Sequence, residues 1–275
     1  MNTQTNNQNP SSELKNKITQ HIQELAEATD AARVSEEMLS YLDMCARFHK
    51  YSPQNVWLIL MECPNATMVA GFKKWRTMGR YVCKGEKGIP ILAPILVKQA
   101  DEDEEESEKL VGFKVVYVFD VNQTEGEDLP EPPDWKSPEQ NELLSERLIK
   151  FAESKGIKVS VKELAGDIQG VSMGGSVFVS PQAGTKTLIH EIAHELMHQD
   201  ENRSHDKTIL ELEAESVAYV VAKNFGMDGL ASPNYVALNG ADAEMIITHL
   251  ERIRNTASQI ICAIHSDHEK VTRFT

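Results

Sequence analysis

The feature that most restricts this chain is a cluster of polar groups set inside an apolar helix. His190-Glu191-Ile192-Ala193-His194 is flanked by Leu188, Ile189, Leu196 and Met197, with Thr185 as the expected helix cap. An α-helix brings positions i and i+4 onto one face, so the two imidazoles project side by side. Two histidines and a carboxylate are costly to bury without partners, and a shared metal ion removes that cost. Imidazoles one turn apart form the helical half of a Zn2+ site, and Glu191 stands where a general base can reach water. The fold must keep this face open to a cleft and bring a third ligand from elsewhere.

That ligand is expected in the stretch from Leu210 to Ala218, which carries Glu211, Glu213 and Glu215. Glu211 and Glu215 share a helix face, and Glu213 lies roughly opposite. Glu211 is read as the metal ligand and Glu215 as the carboxylate that orients a ligand histidine. Glu213 and Glu215 are the alternatives for the ligand itself. His198, one turn past His194, is read as a supporting or surface residue, because sites with a third histidine reach it beyond a glycine turn. His205, His249 and Tyr219 are candidate donors to a transition state. The short strand from Ser176 to Ser180 is expected to offer an edge to an extended peptide.

The net charge of −14 argues against a nucleic-acid partner, but the charge is segregated. Residues 47–98 hold nine cations against two acids, and residues 99–135 hold thirteen acids against two lysines. A basic block beside an acidic one says more about partners than the total. Within the basic block, Lys73, Lys74, Arg76, Arg80, Lys84 and Lys87 are interleaved with Phe72, Trp75 and Tyr81. Cations neutralise a phosphate backbone and aromatic faces stack on unpaired bases, so Lys73, Lys74, Trp75, Arg76, Arg80, Tyr81, Lys84 and Lys87 are candidates for binding single-stranded DNA. The competing reading makes Phe72 and Trp75 core. The acidic run from Asp101 to Glu108 reads as a solvated hairpin tip.

Periodicity divides the chain into an α+β protein of two domains. Residues 1–10 form a lead-in. Helices are expected from Ser11, from Ser35 and from Ser52–Pro53 to about Met61, followed by strands and tight turns over Met68–Lys98 and a returning strand over Val111–Val121. Residues 11–128 make the DNA-binding domain, the proline-rich 129–138 a linker, and 139–275 the metal domain. In the latter, helices are expected up to Gly156, over Thr185 to the histidines, over Thr208–Phe225 and over Asp242–Ser258, with strands at Ile157–Val161 and Val177–Val179. Four cysteines without a CxxC pair, a polar Met1–Gln8 and no apolar run of about 18 residues point to a cytoplasmic chain without a membrane span.

Four stretches of the N-terminal half, taken in order, resemble the N-terminal domain of the ArdC antirestriction family. They are Tyr51-Ser52-Pro53-Gln54-Asn55-Val56, Val69-Ala70-Gly71-Phe72-Lys73-Lys74-Trp75, the run from Gly79 to Ile89, and the run from Val118 to Gly126. The second half, with His190–His194 and Glu211–Ala218, resembles that family's zincin-like metallopeptidase domain and the ImmA/IrrE peptidases. Glu195-Leu196-Met197-His198 departs from the usual ArdC continuation toward ImmA/IrrE. The resemblance implies a single-stranded-DNA-binding domain joined to a zinc metallopeptidase-like domain, as on mobile elements that protect incoming DNA from restriction. It also implies a ligand glutamate followed by an acid four residues on, matching Glu211 and Glu215. The expected partners are single-stranded DNA and a protein or peptide substrate. Two rivals are a DNA-shielding protein with a non-catalytic zinc site and a regulatory peptidase that cleaves a repressor.

Overall fold

Proline at a first helical position and paired glycines between apolar runs set the helix starts and turns of this chain. A computed structural model describes residues 9–28, 31–99, 107–129, 138–199, 206–227, 230–231, 233, 235 and 241–272. The acidic run at 101–106, the linker at 130–137, His205 and most of the lead-in lie outside the described residues. Mixed helix and strand make the protein α+β. The backbone forms two compact units, one of residues 1–24 and 54–130, the other of 25–53 and 131–275.

In the first unit, α1 (Pro10–Ala26) is capped by Asn9, whose Oδ1 accepts from the Ser11 N–H, and it buries Ile18 and Ile22 one turn apart. Next come α3 (Pro53–Glu62), β1 (Val69–Gly71), α4 (Phe72–Thr77), β2 (Arg80–Val82), β3 (Ile89–Gln99), β4 (Ser107–Asp120) and β5 (Thr124–Gly126). The sheet order is β1-β4-β3, antiparallel throughout, while β2 pairs with β5 in a separate ribbon.

The residues that carry the family resemblance act as staples in this unit. Buried Asn55 donates to the Leu92 carbonyl at 2.9 Å and accepts from its N–H at 2.8 Å, so one amide takes the place of a strand neighbour on β3. Asp120, 1% exposed, accepts from the Thr67, Met68 and Asn122 amides and ties β4 to the start of β1. Gly126 has φ 133°, and a Cβ there would sit 2.2 Å from the Gly79 carbonyl oxygen, so the ribbon closes only with glycine at this position.

The second unit contains α2 (Ala31–Arg47), α5 (Pro138–Ser154), β6 (Lys158–Val161), β7 (Gly170–Ser172), β8 (Ser176–Val179), α6 (Thr185–Met197), α7 (Lys207–Asn224) and α8 (Ala243–Thr272). Helix α7 packs on α6, α8 and α2, and α5 packs on α6 and α8. Strand β8 lies between β6, parallel to it, and β7, antiparallel.

Several features depart from the sequence expectation, among them α8, which runs past the expected end at Ser258 to Thr272. Residues 25–53 join the second unit and not the 11–128 segment: Tyr219 donates to Asp43, Asn224 to the Ala46 carbonyl, and Arg254 and Ser258 to the His49 carbonyl. Phe72–Thr77 is helical within a stretch expected to be strands and turns. Gly184, and not Thr185, stands at the N-cap of α6. Ser176–Val179 is the middle strand of its sheet, so it has no edge to offer a peptide; among the described residues β7 pairs on one side only.

Candidate functional site

Helix α6 is amphipathic by burial. Leu188, Ile189, Ile192, Ala193 and Met197 are buried, while His190 and His194 are only partly covered on the face toward α7. Helix α7 is capped by Asp206, whose side chain accepts from the Thr208 N–H at 2.8 Å, and Glu211 follows in its second turn. The Nε2 atoms of His190 and His194 are 3.0 Å apart, and Glu211 places Oε2 3.4 Å from the former and Oε1 3.5 Å from the latter. Donors of a tetrahedral ion with bonds of about 2.0–2.1 Å stand roughly 3.4 Å apart, so this spacing fits a metal triad. The ligand atoms of the three residues all lie within 4.8 Å of one another.

The triad opens onto a cleft of about 730 Å³ lined by β7, the end of α6 and the start of α7, including Ser172, Glu191, Gln199 and Lys207. Glu191 faces this cleft while 8% exposed. Burial raises its pKa, with Glu211 and Glu195 adding to the rise, against lowering by His190 and the Ser172 backbone N–H. Burial and the adjacent His190 push His194 down to about 4, which leaves it a neutral donor at neutral pH. Burial alone would lower His190; the carboxylates of Glu215, Glu191 and Glu211 outweigh it and raise it.

Glu215 places Oε2 3.5 Å from His190 Nδ1, and its Oε1 is held by Lys186. Glu213, the alternative ligand, points elsewhere. It is 0% exposed and accepts from His198 at 2.9 Å and His249 at 2.8 Å. The candidate donors fall away from the cleft: His249 is spent on Glu213, and Tyr219 donates to Asp43 at 2.7 Å.

Sequence reasoning missed β7. Gly170 approaches α6 so closely that a Cβ would sit 2.7 Å from Glu191 Cγ and 2.9 Å from Thr187 Cγ2. Glu195, also buried, fixes this strand by accepting from the Ser172 hydroxyl at 2.6 Å and the Gly175 N–H at 2.5 Å. A glycine directly ahead of Val171, at the start of a short run, was the available signal.

In the other unit, Lys73, Lys74, Arg76, Tyr81, Lys84 and Lys87 are exposed, Tyr81 by 53%. Trp75 is a correction. It is 0% exposed and donates Nε1–H to the Phe119 carbonyl at 2.9 Å, so it anchors α4 and cannot present a face to a base. Phe72, 49% exposed, is the ring available beside Tyr81. Arg80 is half-committed to the ribbon, donating to Thr124 Oγ1 and to the Thr124 and Glu127 carbonyls. No helix among the described residues is long and apolar enough to cross a membrane.

Comparison with known proteins gives a family match for the N-terminal part of the chain. Residues 8–122 match the family model of the N-terminal domain of anti-restriction factor ArdC. The uncharacterized protein pXO2-81 of Bacillus anthracis is 29% identical over an alignment that takes in 90% of this chain and 51% of that protein. The chain thus spans about half the length of this curated relative. The crystal structure of the antirestriction ArdC protein of plasmid R388 in its metal-free form aligns at a TM-score of 0.47 and 18% identity, covering 78% of this chain and 86% of that one. Its Mn(II)-bound form aligns at 0.45 and 18%, covering 82% and 97%.

Proposed function

With an ArdC-type N-terminal domain over residues 8–122 as the premise, we propose that the chain is an antirestriction-type protein of a mobile element that binds single-stranded DNA and carries a zinc-dependent peptidase centre. The convergence of His190, His194 and Glu211 on one point beside an open cleft carries this reading. Two imidazoles and a carboxylate form a donor set suited to Zn2+, and three protein ligands with open space beside them suit a catalytic site better than a structural one. Bound there, a divalent cation supplies Lewis acidity that polarises a peptide carbonyl and acidifies water.

The chain's own residues do the rest. His190 and His194 offer imidazole nitrogens, and Glu215 holds His190 from behind. Glu191, with its pKa raised by burial, accepts the proton of the attacking water on its carboxylate and returns it to the leaving amine. Gly170 and Ser172 of β7 pack against Glu191 and limit its movement. In the other unit, Lys73, Lys74 and Arg76 on α4, with Phe72 and Tyr81 exposed beside them, supply the charges and rings that an unpaired strand needs.

Glu191→Gln tests the catalytic assignment. The variant retains its metal, measured by mass spectrometry of the dialysed protein, and loses hydrolysis of a responsive protein substrate. Undiminished cleavage refutes the role of Glu191.

A further inference from the structure

The two ring nitrogens of His194 face different surroundings. Its Nε2 looks to His190 and Glu211, while its Nδ1 lies 2.9 Å from Nδ1 of His198. His198, 4% exposed, places its own Nε2 2.9 Å from Glu213 Oε2. The other oxygen of Glu213 lies 2.8 Å from His249 Nδ1 and 3.5 Å from Arg252 Nη1, both on α8. Arg252 also donates to the Met197 carbonyl at 2.7 Å, which fastens the end of α6 to the same helix.

With a cation on His194 Nε2, hydrogen-bond bookkeeping allows one arrangement of protons along this line. An imidazole that gives its Nε2 lone pair to a cation carries its proton on Nδ1. Two Nδ1 atoms in hydrogen-bond contact need one donor and one acceptor, so a donating His194 leaves His198 unprotonated on Nδ1 and protonated on Nε2. That proton meets Glu213, a carboxylate that accepts and cannot donate when ionised. The reverse assignment sets a bare His198 nitrogen against the carboxylate, acceptor facing acceptor in a buried site. It also puts a proton on His194 Nε2, where the ligand lone pair is needed.

We propose that His198 and Glu213 are positioning residues that hold His194 in its Nδ1-protonated tautomer and aim its Nε2 lone pair at the point shared with His190 and Glu211. This rests on the reading of that point as a divalent-cation site. The two ligand histidines are then set by different devices. His190 is backed directly by the Glu215 carboxylate, whereas His194 is backed by an imidazole that the Glu213 carboxylate polarises from one step further out. Partners behind a ligand histidine raise its basicity and fix its ring, and their loss typically costs 10–100-fold in metal affinity.

The test uses the full chain stripped of metal with EDTA and titrated with zinc(II) against a chromophoric chelator. His198→Leu, which removes the acceptor, is expected to weaken zinc binding about 10–100-fold. His198→Gln is expected to restore most of the loss, since its carbonyl accepts from His194 and its amide donates to Glu213. Cobalt(II) in the His198→Leu protein is expected to show an altered visible spectrum. A His198→Leu protein with wild-type circular dichroism and wild-type zinc affinity overturns the proposal. A second measurement needs no variant: long-range proton–nitrogen NMR of the metal-free chain is expected to place the His194 proton on Nδ1 and the His198 proton on Nε2. A proton on His194 Nε2 overturns the positioning role. A wild-type chain that binds no zinc sinks the metal reading instead, and the tautomer spectrum still decides the role of His198.

Discussion

Glu213→Gln should uncover how a buried carboxylate sets the acid stability of the metal-bearing unit. Burial pushes the pKa of Glu213 up, but hydrogen bonds from His198 and His249, with Arg252 beside it, more than offset that and bring it from 4.5 down to about 2. Between those two values the unfolded chain binds the proton that the folded chain refuses, so stability rises with pH across the window. The contribution is fully present above about pH 5, is lost as pH falls through 2, and amounts to about 3 kcal/mol. Gln keeps the size of the side chain and removes the titration. Urea unfolding of the metal-free protein, followed by far-ultraviolet circular dichroism, should show the variant less stable by about 3 kcal/mol at pH 7. With a slope of about 2 kcal/mol per molar urea, the midpoint falls by about 1.5 M. The gap to wild type should close as the pH approaches 2. A gap that stays constant from pH 7 to 2 refutes the reasoning, because the stabilisation would then not come from the ionised form.

Other perturbations follow from single contacts. Replacing Lys73, Lys74 and Arg76 by alanine should flatten the dependence of log affinity for a single-stranded oligonucleotide on log salt by about 2, at about 0.7 per phosphate contact; an unchanged slope removes α4 from the surface. Tyr81→Ala should weaken the same binding by about 1–3 kcal/mol without shifting the melting temperature, whereas Trp75→Ala should cost about 3–5 kcal/mol of stability, as differential scanning calorimetry can separate. Asn55→Ala strands the Leu92 amide and carbonyl and should destabilise the first unit by about 2–4 kcal/mol, visible as faster hydrogen exchange in β3. Gly170→Ala forces a Cβ against Glu191 and should cost about 1–3 kcal/mol while leaving zinc affinity near wild type, since none of the three ligands is moved directly.

Much of the candidate centre was legible because its parts are local. The spacing of His190 and His194 on one helix fixes their common face, and Glu211 and Glu215 share a face for the same reason, with Glu213 opposite. What the spacing could not supply was the far side of α7. There Glu213 meets His249 across 36 residues of chain. The available hint was a histidine inside the apolar stripe of Ile246, Leu250 and Ile253, because such a residue calls for a buried acceptor.

The fold shows the same division. Helices α1, α3 and α5 follow from periodicity and proline placement within a few residues of their ends. Strand β7 is three residues long and exists only through its pairing with β8, so no alternation marks it. Trp75 is buried and bonds to the Phe119 carbonyl 44 positions away, a long-range contact that its basic surroundings in the sequence do not reveal. Helix α2 has the amphipathic pattern of any packed helix, and that pattern does not say which unit covers it. The motifs that resemble ArdC proved informative for a structural reason, since Asn55, Asp120 and Gly126 each close a contact that other side chains would break.

Calorimetric titration of the EDTA-stripped chain with zinc(II) tests the central claim most directly. One ion per chain should bind to the wild type, and binding should be lost in His190→Ala and in Glu211→Ala proteins that retain wild-type circular dichroism. No uptake by the wild type, or equal uptake by all three, contradicts a metal centre built from His190, His194 and Glu211.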